Sequence, residues 1–171
     1  VHSIIRSEPL ILTIGKESPK GPIYVTDVTL NVETSGGAEN GKSICRFSDK
    51  DVSYDRMIEF KITKSNKHLQ SLTNLRKGNY NYFVKCMDSA GNEEKGAIKF
   101  NIAKEGKGNE IIYTYKDSSN LHIVLNVAST CEYGKQDFKF GEGIKMTGEK
   151  LTVHTAPLAL NEYKIKCIDD E

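Results

Sequence analysis

Apolar and polar residues alternate along most of the chain, which is the pattern of β-strands that bury one face. No stretch sustains the spacing of an amphipathic helix. The residues predicted to face inward in the first part of the chain are Val28, Leu30 and Val32, then Cys45 and Phe47, then Ile58, Phe60 and Ile62, then Tyr80, Tyr82, Val84 and Cys86, and finally Ile98, Phe100 and Ile102. With further strands at 10–14 and near 69–72, the pattern predicts about seven strands.

Turn-forming residues separate these strands. Clusters of Gly, Pro, Ser and Asn fall at 18–22, 35–41, 77–79 and 89–92. Seven short strands with such turns, all within residues 10–103, are typical of a β-sandwich of the immunoglobulin kind.

An internal repeat extends this reading to the rest of the chain. The segment 28–32 matches 123–127, Cys45 matches Cys131, and the segment 82–86 matches 163–167, in the same order. The polar, glycine-rich stretch between the copies is typical of a linker. The sequence therefore predicts a tail at 1–9, an Ig-like domain at 10–104, a linker at 105–109 and a second Ig-like domain at 110–171.

The second copy stops where the first continues into its last strand. The predicted fold class is therefore all-β, with tandem immunoglobulin-like sandwiches of which the second lacks its last strand. Such a gap leaves backbone groups unpaired and core residues uncovered. Either a truncation accounts for it, or the tail of a neighbouring subunit fills it as a donor strand, with Val1, Ile4 and Ile5 as its apolar residues. Head-to-tail repetition of that contact would build a filament.

The four cysteines fall into two similar pairs, one in each copy. Cys45 and Cys86 enclose 40 residues, and Cys131 and Cys167 enclose 35. This spacing is too long for a CxxC metal or redox site and favours one disulfide per repeat. Because disulfides persist in oxidising surroundings, we expect an extracellular or cell-surface protein.

A family resemblance appears in the sixth predicted strand and the loop after it. The pattern Leu75-x-x-Gly78-x-Tyr80-x-Tyr82-x-Val84-x-Cys86, followed by Asp88-x-Ala90-Gly91-Asn92, resembles prokaryotic immunoglobulin-like repeats of cell-surface and adhesion proteins. The resemblance implies a tyrosine corner at Tyr80, with a buried ring, and no such corner in the second copy, where Asn161 aligns. The chain has no tryptophan, and the first cysteine of each pair falls on the third strand. The disulfide is therefore expected to join neighbouring strands of one sheet.

Charge and composition exclude several classes of partner. The net charge is +1, with no basic block, so nucleic acid is not an expected partner. No apolar run approaches the ~20 residues of a membrane-spanning helix. Residues 1–104 carry a net charge of +4 and residues 105–171 a net charge of −3.

Candidate chemistry is sparse. Residues 36–43 fit the P-loop string G-x-x-x-x-G-K-S, but the residues that follow have the pattern of a strand, whereas a P-loop opens a helix. We interpret the string as a polar loop. The four histidines are dispersed, and His122 and His154 are expected to point outward. We therefore predict a protein that is not an enzyme, with no cofactor and no metal site.

The remaining candidates concern binding. Alternation places Ile44, Phe83 and Met87 on the outward face, where they form a predicted interface patch. The loops 35–42 and 89–96 are candidate recognition loops. We predict a non-catalytic, extracellular structural or adhesive module of a prokaryotic surface, with an archaeal source among those expected. The expected partner is a protein or a second copy of the chain, and carbohydrate is another compatible ligand. The alternatives are a filament subunit joined by donor-strand exchange and the accessory binding region of a larger secreted enzyme.

Overall fold

The computed structural model describes residues 11–105 and 108–169, and these residues form two compact units. The first unit comprises residues 11–21, 29–70 and 79–101. The second comprises 22–28, 71–78, 102–105 and 108–169. The described residues contain thirteen strands, one 3-10 turn and no α-helix, which confirms the all-β class.

The strands of the first repeat are β1 (Leu12–Ser18), β2 (Gly21–Ile23), β3 (Val28–Gly36), β4 (Ile44–Ser48), β5 (Ile58–Glu59), β6 (Lys67–Leu72), β7 (Gly78–Met87) and β8 (Glu93–Ile102). They form a three-stranded sheet in the order β1-β3-β6 and a five-stranded sheet in the order β2-β8-β7-β4-β5. Two sheets with these strand neighbours make an immunoglobulin-like sandwich, as the sequence predicted.

Alternation along the strands explains which residues fill this sandwich. In β3 and β7 every second side chain is buried, and the opposite positions are partly or fully exposed. The completely buried positions include Leu30, Val32, Phe47, Val84 and Cys86. Burial of these apolar surfaces supplies the main favourable free energy of folding.

One predicted strand is shorter than expected. The strand β5 ends at Glu59, although Phe60 is still buried beside it. Ile62, which was predicted to face inward, is 54% exposed, so that prediction was wrong. The chain has left the sheet at this point, and Ile62 makes only an isolated bridge to Leu69, so strand alternation no longer sets the direction of its side chain.

The strands of the second repeat are β9 (Ile111–Lys116), β10 (Asn120–Gly134), β11 (Ile144–Lys145), β12 (Leu151–Pro157) and β13 (Lys164–Asp169). The long strand β10 pairs with β9 along its first half and with β11 and β13 along its second half. It pairs with β12 along its first half and, after a register shift, again at Ser129. It replaces two strands of the first repeat, β3 and β4, and the loop that joins them.

Both halves of β10 contribute side chains to one core. Leu121, Ile123 and Leu125 from the first half cluster with Cys131 and Tyr133 from the second half. The continuous sheet therefore folds over this cluster like the two layers of a sandwich. In the part of the chain that the structure describes, β13 is the last strand.

Candidate functional site

The structure contains both predicted disulfides, Cys45–Cys86 and Cys131–Cys167. In each case the two cysteines are direct partners on neighbouring antiparallel strands, with Cα atoms 4.0 and 4.1 Å apart. The bridges therefore join strands within one sheet. Cys45, Cys86 and Cys131 are buried, whereas Cys167 is half-buried.

The predicted interface residues lie on the outward face of β4 and β7, where each is half-buried. Ile44 is the direct partner of Met87, and Phe83 is the partner of Ser48. The pair Arg46 and Lys85 lies between them on the same face. The structure thus brings Ile44 and Met87 together and separates them from Phe83, and the role of all three as an interface stays a prediction.

The connection between β4 and β5 contacts this outward face. It contains the 3-10 turn Tyr54–Arg56, and the Tyr54 hydroxyl donates to the Ile44 carbonyl oxygen at 3.0 Å. The Arg46 guanidinium lies 4.4 Å from the centre of the Tyr54 ring, and Lys85 Nζ donates to the Val52 carbonyl oxygen at 2.8 Å. These contacts, which the sequence pattern did not indicate, explain why the face is only half-exposed.

The P-loop-like string forms a turn between β3 and β4, and strand β4 follows it as expected. Its backbone does hold an anion, but the anion is the carboxylate of Asp88. Asp88 accepts hydrogen bonds from the backbone N–H groups of Ala38, Ala90 and Asn92 and from Asn92 Nδ2, at 2.8 to 3.0 Å. Gly37 has a φ of +68°, and a Cβ there would lie 2.5 Å from an Asp88 oxygen. Glycine at this position therefore allows the approach.

This network also sets the ionisation of Asp88. Burial by itself would raise the pKa of the carboxyl group. The hydrogen bonds from the Asn92 side chain and from the backbone N–H groups outweigh burial and lower the pKa below its ordinary value. The ionised Asp88 carboxylate thus acts as a clamp, because its hydrogen bonds hold together the two predicted recognition loops, 35–42 and 89–96.

A cleft of about 530 Å³ lies beside this clamp. Its lining includes the cross-strand pair Ile44 and Met87 together with the exposed side chains of Lys42 and Lys64. The cleft combines an apolar surface with two ammonium groups and the two carboxylates of Glu39 and Asp88. Such a surface can bind a ligand that carries both apolar and charged groups.

A buried polar cluster connects the two sheets of the first sandwich. His68 is completely buried, with Nε2 at 2.8 Å from Thr34 Oγ1 and Nδ1 at 2.7 Å from Thr63 Oγ1. The Ser43 hydroxyl donates to Thr34 Oγ1 at 3.0 Å. Burial lowers the pKa of His68 to about 4, so the imidazole is neutral at pH 7.

The hydrogen-bond partners assign the tautomer of His68. Thr63 Oγ1 already accepts from the backbone N–H of Cys45, so its own proton can point to Nδ1. Thr34 Oγ1 donates to the Gly41 carbonyl oxygen at 2.5 Å, so it can accept from Nε2. A neutral ring with its proton on Nε2 satisfies every one of these groups. The cluster is thus complete without a carboxylate and acts as a structural network.

The second repeat contains a matching buried histidine. The bridges Ile62–Leu69 and Thr147–Thr155 align His154 with His68, and His154 is also completely buried. The prediction that His154 points outward was wrong, because this position of β12 faces the core. Ser43 and Ser129, each two residues before a cysteine, are likewise both buried. A comparison of the two copies at Ser-x-Cys would have found this signal in the sequence.

His122 differs from His154. It lies on the outward face opposite Tyr115, and the two rings stack with centroids 4.4 Å apart. Its Nε2 atom lies 2.6 Å from Asp117 Oδ2. Hydrogen bonds from the backbone N–H of Ser119, from His122 and from the N–H of Asn120 lower the pKa of Asp117 to about 2. The outward placement of His122 was predicted, but its aromatic and acidic partners were not.

The tyrosine corner appears where it was not expected. In the second repeat the Tyr163 hydroxyl donates to the Pro157 carbonyl oxygen at 2.5 Å and accepts from the N–H groups of Ala159 and Leu160 at 3.0 and 3.2 Å. The expectation that this copy lacks a corner was wrong, because it rested on Asn161 and overlooked Tyr163. Tyr80 is half-buried, less than predicted, and its ring stacks on Phe100 at 5.4 Å. Its role as a corner stays a prediction.

The described residues contain no metal cluster and no membrane-spanning helix. Among residues 11–105 and 108–169, no cluster of three His, Cys, Asp or Glu side chains is arranged to hold a metal ion. The same residues include no helix with the length and apolar character needed to cross a membrane. The predicted donor-strand residues Val1, Ile4 and Ile5 lie outside the described residues.

Comparison with known proteins gives distant structural similarity only. No protein-family model matches the sequence, and no curated protein matches it. Similar solved structures include a chimeric titin Z1Z2 that carries an exogenous decorin peptide, at 11% identity and a TM-score of 0.39, over 96% of this chain and 92% of that one. Fibronectin(III)-like modules of Clostridium thermocellum CbhA match at 11% identity and a TM-score of 0.38, over 94% of this chain and 86% of that one. Bovine butyrophilin matches at 9% identity and a TM-score of 0.37, over 96% of this chain and 100% of that one.

The strand pairing of the two repeats defines the fold. The first repeat has two sheets with immunoglobulin-like strand neighbours, and the second has one sheet built on β10 that encloses a single core; together they form tandem immunoglobulin-like β-sandwiches.

Proposed function

We propose that this chain is a non-catalytic structural or adhesive module that acts outside the cell, at the surface of a bacterium or an archaeon. The observation that carries the proposal is the occurrence of one cross-strand disulfide at the same place in both repeats. All four cysteines are consumed in these bonds, and no free thiol remains. Such bonds persist outside the reducing cytoplasm.

The binding surface in this proposal is the cleft beside Asp88. Its loops are held by backbone hydrogen bonds to a buried carboxylate, so ligand binding would require little ordering of the loops. The paired side chains of Ile44 and Met87 offer apolar contact, and Lys42 and Lys64 offer charge. A protein partner whose surface combines apolar and charged groups fits this lining.

The test has two parts. Intact cells of the source organism are treated with a membrane-impermeant amine label or a protease, and the chain is expected to react before the cells lyse. Peptide mapping under non-reducing conditions is expected to recover the pairs Cys45–Cys86 and Cys131–Cys167. Protection of the chain until lysis, or reduced cysteines in the native protein, would contradict an extracellular module.

A matched pair of variants tests the cleft. Replacing Lys42 and Lys64 by Glu leaves only acidic groups among the charged residues of the cleft, whereas replacing Lys116 and Lys145 by Glu makes an equal change of net charge in the second repeat. The first change is expected to reduce adhesion of the purified chain to its native surface at least tenfold, and the second to leave adhesion within twofold. Equal effects would show that only net charge matters.

A filament subunit is the second candidate function, and the unpaired edge of β13 favours it. Within the described residues β13 pairs with β10 alone, so its other edge is available for strand addition. In this candidate, residues Val1, Ile4 and Ile5 of a neighbouring subunit supply the strand. Electron microscopy of native material is expected to show fibres that are lost when residues 1–7 are deleted, and a stable monomer with that segment intact would remove the candidate.

A further inference from the structure

The outward side of β7 and β8 contains Phe83, the predicted interface residue that does not line the cleft beside Asp88. The strands β7 and β8 are neighbours in the five-stranded sheet, and the short turn between them makes them an antiparallel hairpin. At the turn the Asp88 N–H donates to the Asn92 carbonyl oxygen at 3.1 Å, so these two residues lie opposite each other. This contact sets the register of the whole hairpin.

The register places four pairs of residues on the outward side. From the turn towards the far end they are Lys85–Lys95, Phe83–Ala97, Asn81–Lys99 and Asn79–Asn101. The inward side supports the same register, because it places Tyr80 opposite Phe100 and these two rings stack with centroids 5.4 Å apart. We call the outward residues Asn79, Asn81, Phe83, Lys85, Lys95, Ala97, Lys99 and Asn101 the hairpin face.

Two open clefts follow one another along the hairpin face. One, of about 330 Å³, is lined by Phe83, Ala97 and the lysine pair nearest the turn. The other, of about 490 Å³, is lined by Lys99 and the three asparagines. Neither shares a lining residue with the cleft beside Asp88. The hairpin face is therefore a separate surface, and its shape suits a ligand that extends along the strands.

The charge of the hairpin face is positive. Lys85 Nζ lies 3.5 Å from an Asp51 oxygen, so its charge is partly compensated. Lys95 and Lys99 are exposed, and neither forms an ion pair with any residue that the structure describes. Together the two clefts are lined by three lysines and one carboxylate, that of Asp51. The cleft beside Asp88, with two lysines and two carboxylates, has no such excess.

The arrangement of the cations also points to an external anion. Arg46, Lys85 and Lys95 lie in one row across β4, β7 and β8. Like charges directly opposite each other destabilise a sheet. Glu59 lies opposite Arg46 on its other side, and Asp51 compensates Lys85, whereas the Lys95 end of the row has no acidic partner among the described residues. An anion bound there would relieve the repulsion.

The other half of the hairpin face offers neutral polar groups. Asn79 and Asn81 are exposed and Asn101 is half-exposed. Each carboxamide carries both donors and acceptors, as the hydroxyl groups of a sugar do. Between these amides and the lysine pair lies Phe83, which is half-buried and offers an apolar contact. The face thus combines partners for carboxylates, for hydroxyls and for the C–H surface of a sugar ring.

We propose that the hairpin face binds an acidic polysaccharide, a chain of sugars that carry carboxylates. The chain lies along β7 and β8, with its carboxylates at Lys95 and Lys99, its hydroxyls at the asparagine amides and a sugar ring against Phe83. This inference goes beyond the proposed function, because it assigns a second binding surface and a different class of ligand. It does not depend on a protein partner at the cleft beside Asp88.

The first test compares two probes that differ only in charge. Oligogalacturonate carries a carboxylate on every sugar, and its methyl ester is the same chain without the charges. Isothermal titration calorimetry of the full chain is expected to show binding of oligogalacturonate that weakens as salt is added, and about tenfold weaker binding of the ester. Equal affinity for the two probes, or no binding of oligogalacturonate, would overturn the proposal.

A matched pair of variants places the ligand on the face. The double change K95Q/K99Q removes two exposed charges from the hairpin face and is expected to weaken binding of oligogalacturonate about tenfold. The control K42Q/K64Q makes the same change in net charge at the cleft beside Asp88 and is expected to alter binding by no more than about twofold. Circular dichroism checks that both variants are folded. Equal losses in the two variants would overturn the assignment to this face.

The amides distinguish a polysaccharide from an acidic protein. The double change N79A/N101A is expected to weaken binding of oligogalacturonate about threefold or more, because two hydroxyl partners are lost, and to leave binding of polyglutamate unchanged. Equal effects on both probes, or tighter binding of polyglutamate by the unsubstituted chain, would overturn the proposal in favour of an acidic protein. Failure of surface labelling would contradict the extracellular function without changing these binding constants.

Discussion

The strands β7 and β13 carry the same landmark, a tyrosine followed four residues later by a disulfide-bonded cysteine, yet their surroundings differ. Around β7 a partner strand lies on each side, and Val84 and Cys86 have no exposed surface. Along β13 only β10 is paired among the described residues, and Ile165 and Cys167 remain half-buried. The comparison shows that both repeats place their cysteines as direct cross-strand partners, while the strand that carries the second cysteine is less completely covered in the second repeat.

The largest expected effect is the loss of a disulfide. Replacing both Cys131 and Cys167 by Ala removes a disulfide that joins positions 36 residues apart in the sequence. Loss of a cross-link over a loop of this length is expected to lower the free energy of unfolding by about 4 kcal/mol. Replacing Cys45 and Cys86 removes a similar constraint from a more completely covered sandwich. We expect the second repeat to unfold near room temperature without its bridge, and the first to remain folded with a lowered Tm. Residue-resolved hydrogen exchange distinguishes the two repeats, and equal slight shifts would show that the bridges are incidental.

The second largest effect concerns pH and His68. Its pKa is about 4 in the folded protein against an ordinary value of about 6.5, so below pH 6.5 the unfolded chain binds a proton that the folded chain does not. The contribution of the neutral His68 to the free energy of unfolding is therefore fully present above pH 6.5. It is lost as the pH falls towards 4, and the total loss is about 3 kcal/mol. Urea unfolding at pH 7.5 and 4.5 measures the loss. His68→Gln, which stays neutral, is expected to abolish most of this difference, and an unchanged pH dependence would refute it.

A smaller effect is expected from the two buried carboxylates that hold loops. Asp88→Asn removes an anionic acceptor from three backbone N–H groups and is expected to cost about 2 kcal/mol. In the second repeat Glu132 accepts from the N–H groups of Gly141 and Gly143, so Glu132→Gln is the matched variant. Backbone NMR relaxation is expected to show added motion at 36–42 only in the first variant. Rigid loops after Asp88→Asn would show that the clamp is not needed.

The smallest expected change in stability concerns the tyrosine corner. Tyr163→Phe leaves one carbonyl oxygen and two N–H groups without their hydroxyl partner and is expected to cost about 1 kcal/mol, since water can replace part of the loss. Tyr80→Phe is the comparison in the first repeat, and a larger cost there would place the stronger corner at Tyr80. Chemical denaturation of the two variants gives the answer directly.

Much of the fold was predictable because burial repeats every second residue along a strand. That rule identified the inward faces of β3 and β7, and the repeat identified both cysteine pairs. It was wrong at Ile62, where the chain has left the sheet, and at His154, because a polar side chain in an alternating strand was assumed to face water. Burial of a histidine depends on partners that lie far away in the sequence, as Thr34 and Thr63 show for His68.

The candidate site was less predictable. The loops at 35–42 and 89–96 were recognised from their turn residues, but nothing local indicates that a carboxylate at Asp88 fills the glycine-rich loop from 50 residues away. The contacts of Tyr54 and Arg46 with the outward face likewise depend on the path of the 49–57 connection. Ile44 and Met87 were placed on the correct face, while their separation from Phe83 depended on the register of β4 against β7.

The sequence by itself determined the all-β class, the repeat, the pairing of the cysteines within each copy and the alternation of the strands, because each of these follows from local spacing and from the two-residue period of a strand. Only the tertiary structure decided that β10 merges two strands into one, that Asp88 supplies the anion for the glycine-rich loop, and that His68 and His154 are buried. Those features arise from contacts between segments distant in the chain, whose partners are set by how the strands pair and pack and leave no pattern in either segment alone.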